Sequence, residues 1–261
     1  MINSAQNAKV KRVRRLLQDR QERRQEGMYV LEGVRLVEEA ANANVRADLV
    51  LYSTDLSTRG RDILTRFTSM GVPCEEVEAR ILRSLSDTES SQGILAVVQQ
   101  PAASLPDEWD LLLVLDQIRD PGNMGTILRS AAASAVQGVM LTPGSIDAFA
   151  PKVVRAAMGA HLKVPILSLE WPQILTICRE KLPHPASILV ADSSRGVPCW
   201  QADLRQPLAL VIGSEAEGPQ PVAYSVADGL VHIPMPGKTE SLNAAMATSI
   251  LLYEVIRQRM S

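Results

Sequence analysis

Apolar runs of four to six residues alternate along most of this chain with longer stretches in which apolar positions recur every three or four residues. The former have the length and polar bounds of buried strands, and the latter have the period of helices lying on a sheet. Between residues 28 and 98 the pattern predicts strands at 28–31, 48–52, 72–77 and 93–98, with helices at 33–43, 58–70 and 80–85. Residues 99–110 carry Pro101 and Pro106 and no periodicity, the mark of a linker. From 111 the alternation resumes, with strands at 111–115, 138–142, 164–168, 187–192, 208–212 and 230–233. Helices are predicted between and after them at 123–135, 148–160, 172–182, 219–226 and 241–259. Strands separated by helical runs imply a parallel sheet covered on both faces. The expected organisation is α/β: a small domain at 1–98, a linker at 99–110 and a parallel-sheet domain at 111–261. The last helix is apolar nearly all round from Leu242 to Leu252, which means burial on every side, in the core, against a second subunit, or both. A homodimer is expected on that ground.

Composition narrows the class. At 261 residues, 46% hydrophobic and 21% charged, the chain can fill one large or two ordinary cores. No apolar run reaches membrane-spanning length, so no membrane partner is expected. The basic start, Met1 to Gln25, lacks the apolar centre of a signal peptide, so a cytoplasmic location is expected. Cys74, Cys178 and Cys199 lie far apart, and His161, His184 and His232 fall at no metal-like spacing. Neither a metal site nor a disulfide framework is expected, and each histidine reads as an ordinary core or surface residue.

The net charge of −2 hides an asymmetry. Residues 9–24 hold eight Lys or Arg against Asp19 and Glu22, a net of +6, so the remainder carries −8. Residues 7–25 read as one helix, with Val10, Val13, Leu16 and Leu17 as a narrow apolar stripe and the cations around the rest. A charge run is commonly a solvated face. The excess here points instead to phosphate contact with a polyanion, with Lys11, Arg12, Arg14 and Arg15 as the candidate residues.

Three strand ends carry the candidate chemistry. The first runs from Leu111 through Asp116 into Asp120-Pro121-Gly122-Asn123 and a helix, where unpaired backbone N–H groups converge. Gly125 and Arg129 share a helix face, and helical side chains lean towards the N-terminus. The Arg129 guanidinium therefore passes over a residue with no side chain and can reach the mouth above the strand. The alternative is a solvated arginine paired with Asp120. The second stretch is Leu208 to Gly218, and the third is Val231 to Asn243, leading into a helix capped by Ser241. Glycines at strand ends let a ligand lie against bare backbone. Gly237-Lys238-Thr239 imitates the end of a phosphate-binding P-loop, but that pattern needs a glycine where His232 stands. Gly-x-Gly-x-x-Gly is missing too, which counts against a nucleoside triphosphatase or a dehydrogenase.

In order and spacing, these stretches resemble the three signature motifs of the SpoU (TrmH) family of RNA ribose 2′-O-methyltransferases, within the SPOUT superfamily. Motif one is matched by Asp120-Pro121-x-Asn123-x-Gly125-x-x-x-Arg129, and motif two by Gly213-x-Glu215-x-x-Gly218. Motif three is matched by Ile233-Pro234-Met235-x-Gly237 with Ser241-Leu242-Asn243 and Leu252-Tyr253-Glu254. Tyr29 to Gly33 and the helix after them are similar to the family's RNA-binding domain, built like a kink-turn-binding ribosomal protein. The resemblance thus covers nearly the whole chain. It implies S-adenosylmethionine as methyl donor, held bent in a C-terminal trefoil knot that composition and periodicity do not reveal. It also implies a homodimer. By the same carry-over Gly213, Ile233 and Leu242 hold the adenosine half, mostly through backbone, while Met235 and Ser241 line the pocket. Arg129, Asn123, Glu215 and Asn243 form the implied catalytic set. Ala244, Ala245 and Ser214 depart from frequent family residues, which bears on affinity more than on function.

The implied reaction is in-line methyl transfer from a sulfonium to a ribose 2′-oxygen, in which positioning supplies most of the help. The oxygen must shed or share its proton. The family proposal makes the motif-one arginine, here Arg129, the base, but a guanidinium is a donor with almost no neutral population. Arg129 is expected instead to clamp the adjacent phosphate and stabilise developing charge, oriented by Asn123 and Glu215, with Asn243 fixing the acceptor loop. Simpler roles are a partner carboxylate for Glu215 and helix capping for Asn243. A full N-terminal domain favours ribosomal RNA of the large subunit (23S) over tRNA, including in a self-protecting resistance enzyme. A non-catalytic RNA-binding protein of the same fold is the alternative from another class, against which the presence of Arg129, Asn123 and Glu215 counts. Aromatic residues are only 3% of the chain, so recognition through RNA shape and phosphate is expected rather than base stacking.

Overall fold

The computed structural model describes residues 1–86, 91–180, 186–214, 217–237 and 239–260. The chain forms two compact units, Met1–Pro101 with Phe149–Leu162, and Ala102–Ala148 with Lys163–Ser261. No helix among the described residues is long and apolar enough to cross a membrane.

In the first unit, helices α1 (Ala8–Gln18) and α2 (Arg20–Glu26) precede strand β1 (Met28–Glu32), helix α3 (Val34–Asn42) and strand β2 (Ala47–Tyr52). Helix α4 (Thr58–Ser69), strand β3 (Cys74–Glu76), helix α5 (Ala79–Arg83) and strand β4 (Ile94–Gln99) follow. The sheet order is β1-β4-β2-β3, with β4 antiparallel to both neighbours. Alternation sorts its side chains into two cores. Tyr29, Leu31, Val50, Ile94 and Ala96 meet Val37 and Ala40 of α3 and Ile63 and Phe67 of α4. Val30, Leu49, Leu51, Leu95 and Val97 meet Val10, Val13 and Leu16 of α1 and Ile81 and Leu82 of α5.

The predicted single helix at 7–25 is broken at Asp19, whose backbone is extended and whose carboxylate caps α2 through the Gln21 N–H at 2.7 Å. Arg23 is buried and donates to the Leu16 and Leu17 carbonyls, satisfying the end of α1. Gly27, at φ 63°, then stops α2. Much of the predicted cationic face is internally compensated: Arg12 pairs with Glu26 and Asp48, Arg15 with Glu22, and Lys9 with Glu75. Arg14 reaches the Ser84 hydroxyl, and Lys11 faces solvent.

The predicted helix at 148–160 is shorter, α7 (Pro151–Ala157) followed by a 3₁₀ turn at Ala160–Leu162. The segment belongs to the first unit rather than to the parallel-sheet domain in which its sequence lies. Its Phe149 and His161 rings stand 5.0 and 5.9 Å from Tyr29, Val154 joins the same core, and Arg155 lies 3.6 Å from Glu32. Local periodicity marks this stretch as amphipathic but does not say which sheet it covers.

The second unit is built on seven parallel strands, β5 (Leu111–Asp116), β6 (Gly138–Leu141), β7 (Ile166–Ser168), β8 (Ser187–Ala191), β9 (Val197–Pro198), β10 (Leu208–Gly213) and β11 (Gly229–His232). Their order is β7-β6-β5-β10-β8-β11-β9, so β5 and β10 lie inside the sheet and every residue of both is buried. Helices α6 (Pro121–Ala133), α8 (Trp171–Glu180), α9 (Pro221–Val226) and α10 (Ala244–Arg259) accompany them. The predicted helix 172–182 runs past Glu180 into residues outside the described set, as does His184. Part of the expected linker is docked: Trp109 is buried and Leu105 half-buried against the core of Leu112, Val114, Ala209 and Val211.

Helix α10 packs on α6 and β10. It begins at Ala244, so its cap is Asn243 rather than Ser241. Burial on every side does not hold within one chain. Leu251, Leu252 and Val255 are buried, but Met246, Ile250 and Tyr253 are 63%, 44% and 56% exposed along one stripe.

Candidate active site

The sheet order places the carboxyl ends of β5, β10, β8 and β11 side by side, the edge at which parallel α/β sheets bind ligands. At the end of β5 the buried Asp116 accepts hydrogen bonds from the Thr142 hydroxyl, the Gln220 N–H and the Gln220 amide, each at 2.7 Å. It thereby ties the first motif loop to the residue that closes the second. Gln117 follows at φ 60°, and Asp120 caps α6 through the Asn123 N–H at 2.7 Å, with Pro121 in the first turn. The Asp120 side chain thus serves the helix end rather than Arg129. Gly125 is buried, and Arg129, one turn on, is exposed to solvent.

Motif three meets motif one directly. Asn243 Nδ2 donates to Asn123 Oδ1 at 2.8 Å, while Asn243 Oδ1 caps α10 through Ala245 and Met246 N–H. One side chain therefore both caps α10 and joins the third motif to the first. Behind them the Ser130 and Ser249 hydroxyls join α6 to α10 at 2.7 Å.

At the end of β10, Gly213 lies so close to the returning loop that a Cβ would stand 2.0 Å from Pro219 N and 2.2 Å from the Gly218 carbonyl carbon. Only a glycine admits that approach. The loop is closed by a Gly218 N–H bond to the Ser214 carbonyl at 2.9 Å. Glu215, its expected carboxylate, lies outside the described residues.

A cavity of about 440 Å³ opens between these loops. Gly213, Ile233, Met235, Ser241 and Leu242 all line it, together with Ile212, Ala244, Ala247 and Leu251. Its other wall was not anticipated. The turn after β8 contributes Asp192 to Arg195, and α9 contributes Tyr224. Asp192 Oδ1 accepts from the Ser194 and Arg195 N–H groups at 3.0 and 2.9 Å. Its Oδ2 accepts from Arg195 Nε and Nη2 at 3.0 and 2.8 Å and from the Tyr224 hydroxyl at 3.0 Å. Burial opposes ionisation of Asp192, but these donors outweigh it and hold the carboxyl well below the usual range. Burial and the Asp192 carboxylate together push the Tyr224 hydroxyl up. The Arg195 guanidinium lies 4.5 Å over the Tyr224 ring. Asp192-Ser193-Ser194-Arg195-Gly196 is a fourth strand end running into a polar, glycine-closed turn, the same signal as the other three.

Sheet and cavity define an α/β protein with a nucleoside-sized ligand site at the carboxyl edge of its strands. The SpoU rRNA Methylase family model matches residues 110–253, and that of the MRM3-like substrate binding domain matches residues 7–96. The chain belongs to the SpoU rRNA methylase family. It is 30% identical to the 23S rRNA (guanosine(2553)-2′-O)-methyltransferase RlmP of Bacillus subtilis, over 97% of this chain and 98% of that one. The crystal structure of the SpoU methyltransferase AviRb from Streptomyces viridochromogenes, in complex with the cofactor AdoMet, superposes with a TM-score of 0.88. Identity to it is 29%, over 98% of this chain and 99% of that one. The AdoMet-bound rRNA methyltransferase from Sinorhizobium meliloti also gives 0.88, at 26% identity over 100% of this chain and 98% of that one.

Proposed function

We propose that this chain transfers a methyl group from S-adenosylmethionine to a ribose 2′-hydroxyl of ribosomal RNA, with large-subunit (23S) RNA as the substrate class. The observation that carries the reading is the Asn243–Asn123 bond, which joins the wall of the cavity to the helix bearing Arg129. The cavity suits the donor: about 440 Å³ falls within the range of small-molecule sites, roughly 300–1,000 Å³. Gly213 lines it where the second motif loop returns, and Ile233 and Leu242 offer apolar surface to a nucleoside. When bound there, S-adenosylmethionine supplies an electrophilic methyl on a sulfonium.

The residues of this chain then have separable tasks. Gly213, Ile233 and Leu242 would hold the adenosine half, and Met235 and Ser241 line the same pocket. Asn123 and Asn243 fix the mouth between cavity and acceptor. Arg129, solvent-exposed on a capped helix, clamps the phosphate beside the acceptor sugar and stabilises charge developing on the 2′-oxygen. Glu215 orients it. The first unit, with Lys11, Arg12, Arg14 and Arg15 on its leading helix, docks the RNA, and Arg12 and Arg15 exchange their carboxylate partners for phosphates.

A trefoil knot in the second unit, a homodimer across the exposed stripe of α10 and a cytoplasmic location complete the proposal. Met246, Ile250 and Tyr253 support the dimer, because a second copy would cover apolar surface that one chain leaves in water. The test is tritiated methyl transfer to unmodified ribosomal RNA, with mass-spectrometric mapping of ribose methylation and calorimetry of donor binding. Label in tRNA alone, or a folded protein that does not bind the donor, would refute the reading.

A further inference from the structure

Paired with a residue of the cavity wall, Glu217, is a guanidinium that the family motifs do not include. Arg119 stands between Asp116 and the helix cap Asp120, where strand becomes helix. Its side chain is 61% exposed. Nη2 donates to Gln117 Oε1 at 3.0 Å and lies 3.5 Å from Glu217 Oε2. The base of this arm is rigid. Gln117 has φ 60°, its N–H donates to the buried Thr142 hydroxyl at 3.1 Å, and that hydroxyl donates to the buried Asp116. Glu217, 65% exposed, belongs to the loop that walls the cavity. The Arg119–Glu217 pair thus ties the first motif loop to the second across open solvent.

A pair this exposed contributes little to stability, so its members can exchange partners at small cost. A phosphodiester offers a guanidinium two oxygens in matching geometry. An acceptor ribose within an RNA chain lies between two phosphodiesters, one on its 5′ side and one on its 3′ side. Arg129 is assigned to one of them. Its side chain leans back along α6 towards the helix start, the end of the helix that Arg119 flanks. We propose that Arg119 takes the other phosphate, and that Glu217 holds Arg119 in place until the RNA arrives. Two guanidiniums would then bracket the acceptor sugar, one from the turn before α6 and one from the helix itself. This inference rests on reading the site as an RNA 2′-O-methyltransferase.

The test is filter binding of large-subunit ribosomal RNA transcribed in vitro, and so free of methyl groups, by the full chain and two variants across a salt series. Arg119→Ala is expected to weaken RNA binding by about ten-fold and to flatten the log–log salt dependence by about one unit, while calorimetry gives unchanged S-adenosylmethionine affinity. Glu217→Gln is expected to tighten RNA binding by about two- to five-fold, because the cation no longer has to leave a carboxylate. Wild-type RNA affinity and salt slope in Arg119→Ala would overturn the phosphate contact. So would weakened donor binding with RNA binding intact, since the pair would then serve only the cavity. Unchanged or weakened RNA binding in Glu217→Gln would overturn the holding role. Binding is read without turnover, so a wild-type protein that binds this RNA yet fails to methylate it counts against the proposed reaction and not against Arg119.

Discussion

Replacing Asp192 by alanine tests whether the wall opposite Gly213 is a built part of the donor site. The substitution removes the acceptor for the Ser194 N–H, the Arg195 N–H and the Tyr224 hydroxyl. Hydrogen bonds to a charged group contribute about 1.5–3 kcal/mol each and are not additive, so a loss of about 2–4 kcal/mol in stability is expected. The exposed Arg195 guanidinium is left out of that figure, because solvent screens it. A loss of this size leaves a domain of ordinary stability, about 5–15 kcal/mol, folded. The turn from Asp192 to Arg195 would no longer be fixed, and S-adenosylmethionine affinity should fall by about ten- to a hundred-fold, at 1.4 kcal/mol per factor of ten. Calorimetric donor titration beside chemical denaturation at several pH values checks both. Asp192 is held below the pKa of about 3.9 that it would have unfolded, so its contribution is complete above that value and is lost as pH falls through the depressed one. The stability gap between wild type and variant should therefore be flat from about pH 5 to pH 8 and narrow below about pH 4. A folded variant with wild-type donor affinity, or a gap that widens on acidification, would refute the reasoning.

Gly213→Ala places a methyl 2.0 Å from Pro219 N, so the second motif loop must move; donor binding is expected to be lost, at about 1–3 kcal/mol of stability by denaturation. Arg129→Lys keeps the charge but not the bidentate fork, and turnover should drop by about a hundred-fold or more with donor affinity unchanged; near-normal turnover would sink the clamp. Asn243→Ser keeps a good helix cap but is too short to reach Asn123, so melting temperature should hold while methyl transfer to RNA falls. Ile250→Asp puts a charge in the exposed stripe of α10; on the proposed dimer, wild type is expected to sediment as a dimer and the variant as a monomer at the same concentration.

What could be read from the chain alone follows from how local each cause is. Strand and helix periods are written in neighbouring residues, and six of the seven strands of the parallel sheet follow from them, whereas the two-residue β9 is too short to leave a period. The five residues that the family resemblance implies around the donor line one cavity, while composition alone marks only the glycine-bearing strand ends near them. Asp192, Arg195 and Tyr224 were missed because their wall forms only when β8 and α9 are brought together, although the glycine-closed turn was visible. The break at Asp19 is not legible because no glycine or proline marks it, and the buried Arg23 acts on carbonyls six and seven residues back. Hydrophobicity showed that α10 wants cover but not that Met246, Ile250 and Tyr253 lack it within one chain.

Phe149–Leu162 has a practical consequence for anyone dissecting this protein. A fragment ending near Pro101 would expose the Tyr29 side of its sheet, having lost Phe149, Val154 and His161. The complementary fragment would carry those same apolar side chains with nothing to cover them. Neither half is a cassette that a single cut can free. Exchanging the first unit for another would mean transplanting the excursion between β6 and β7 along with it.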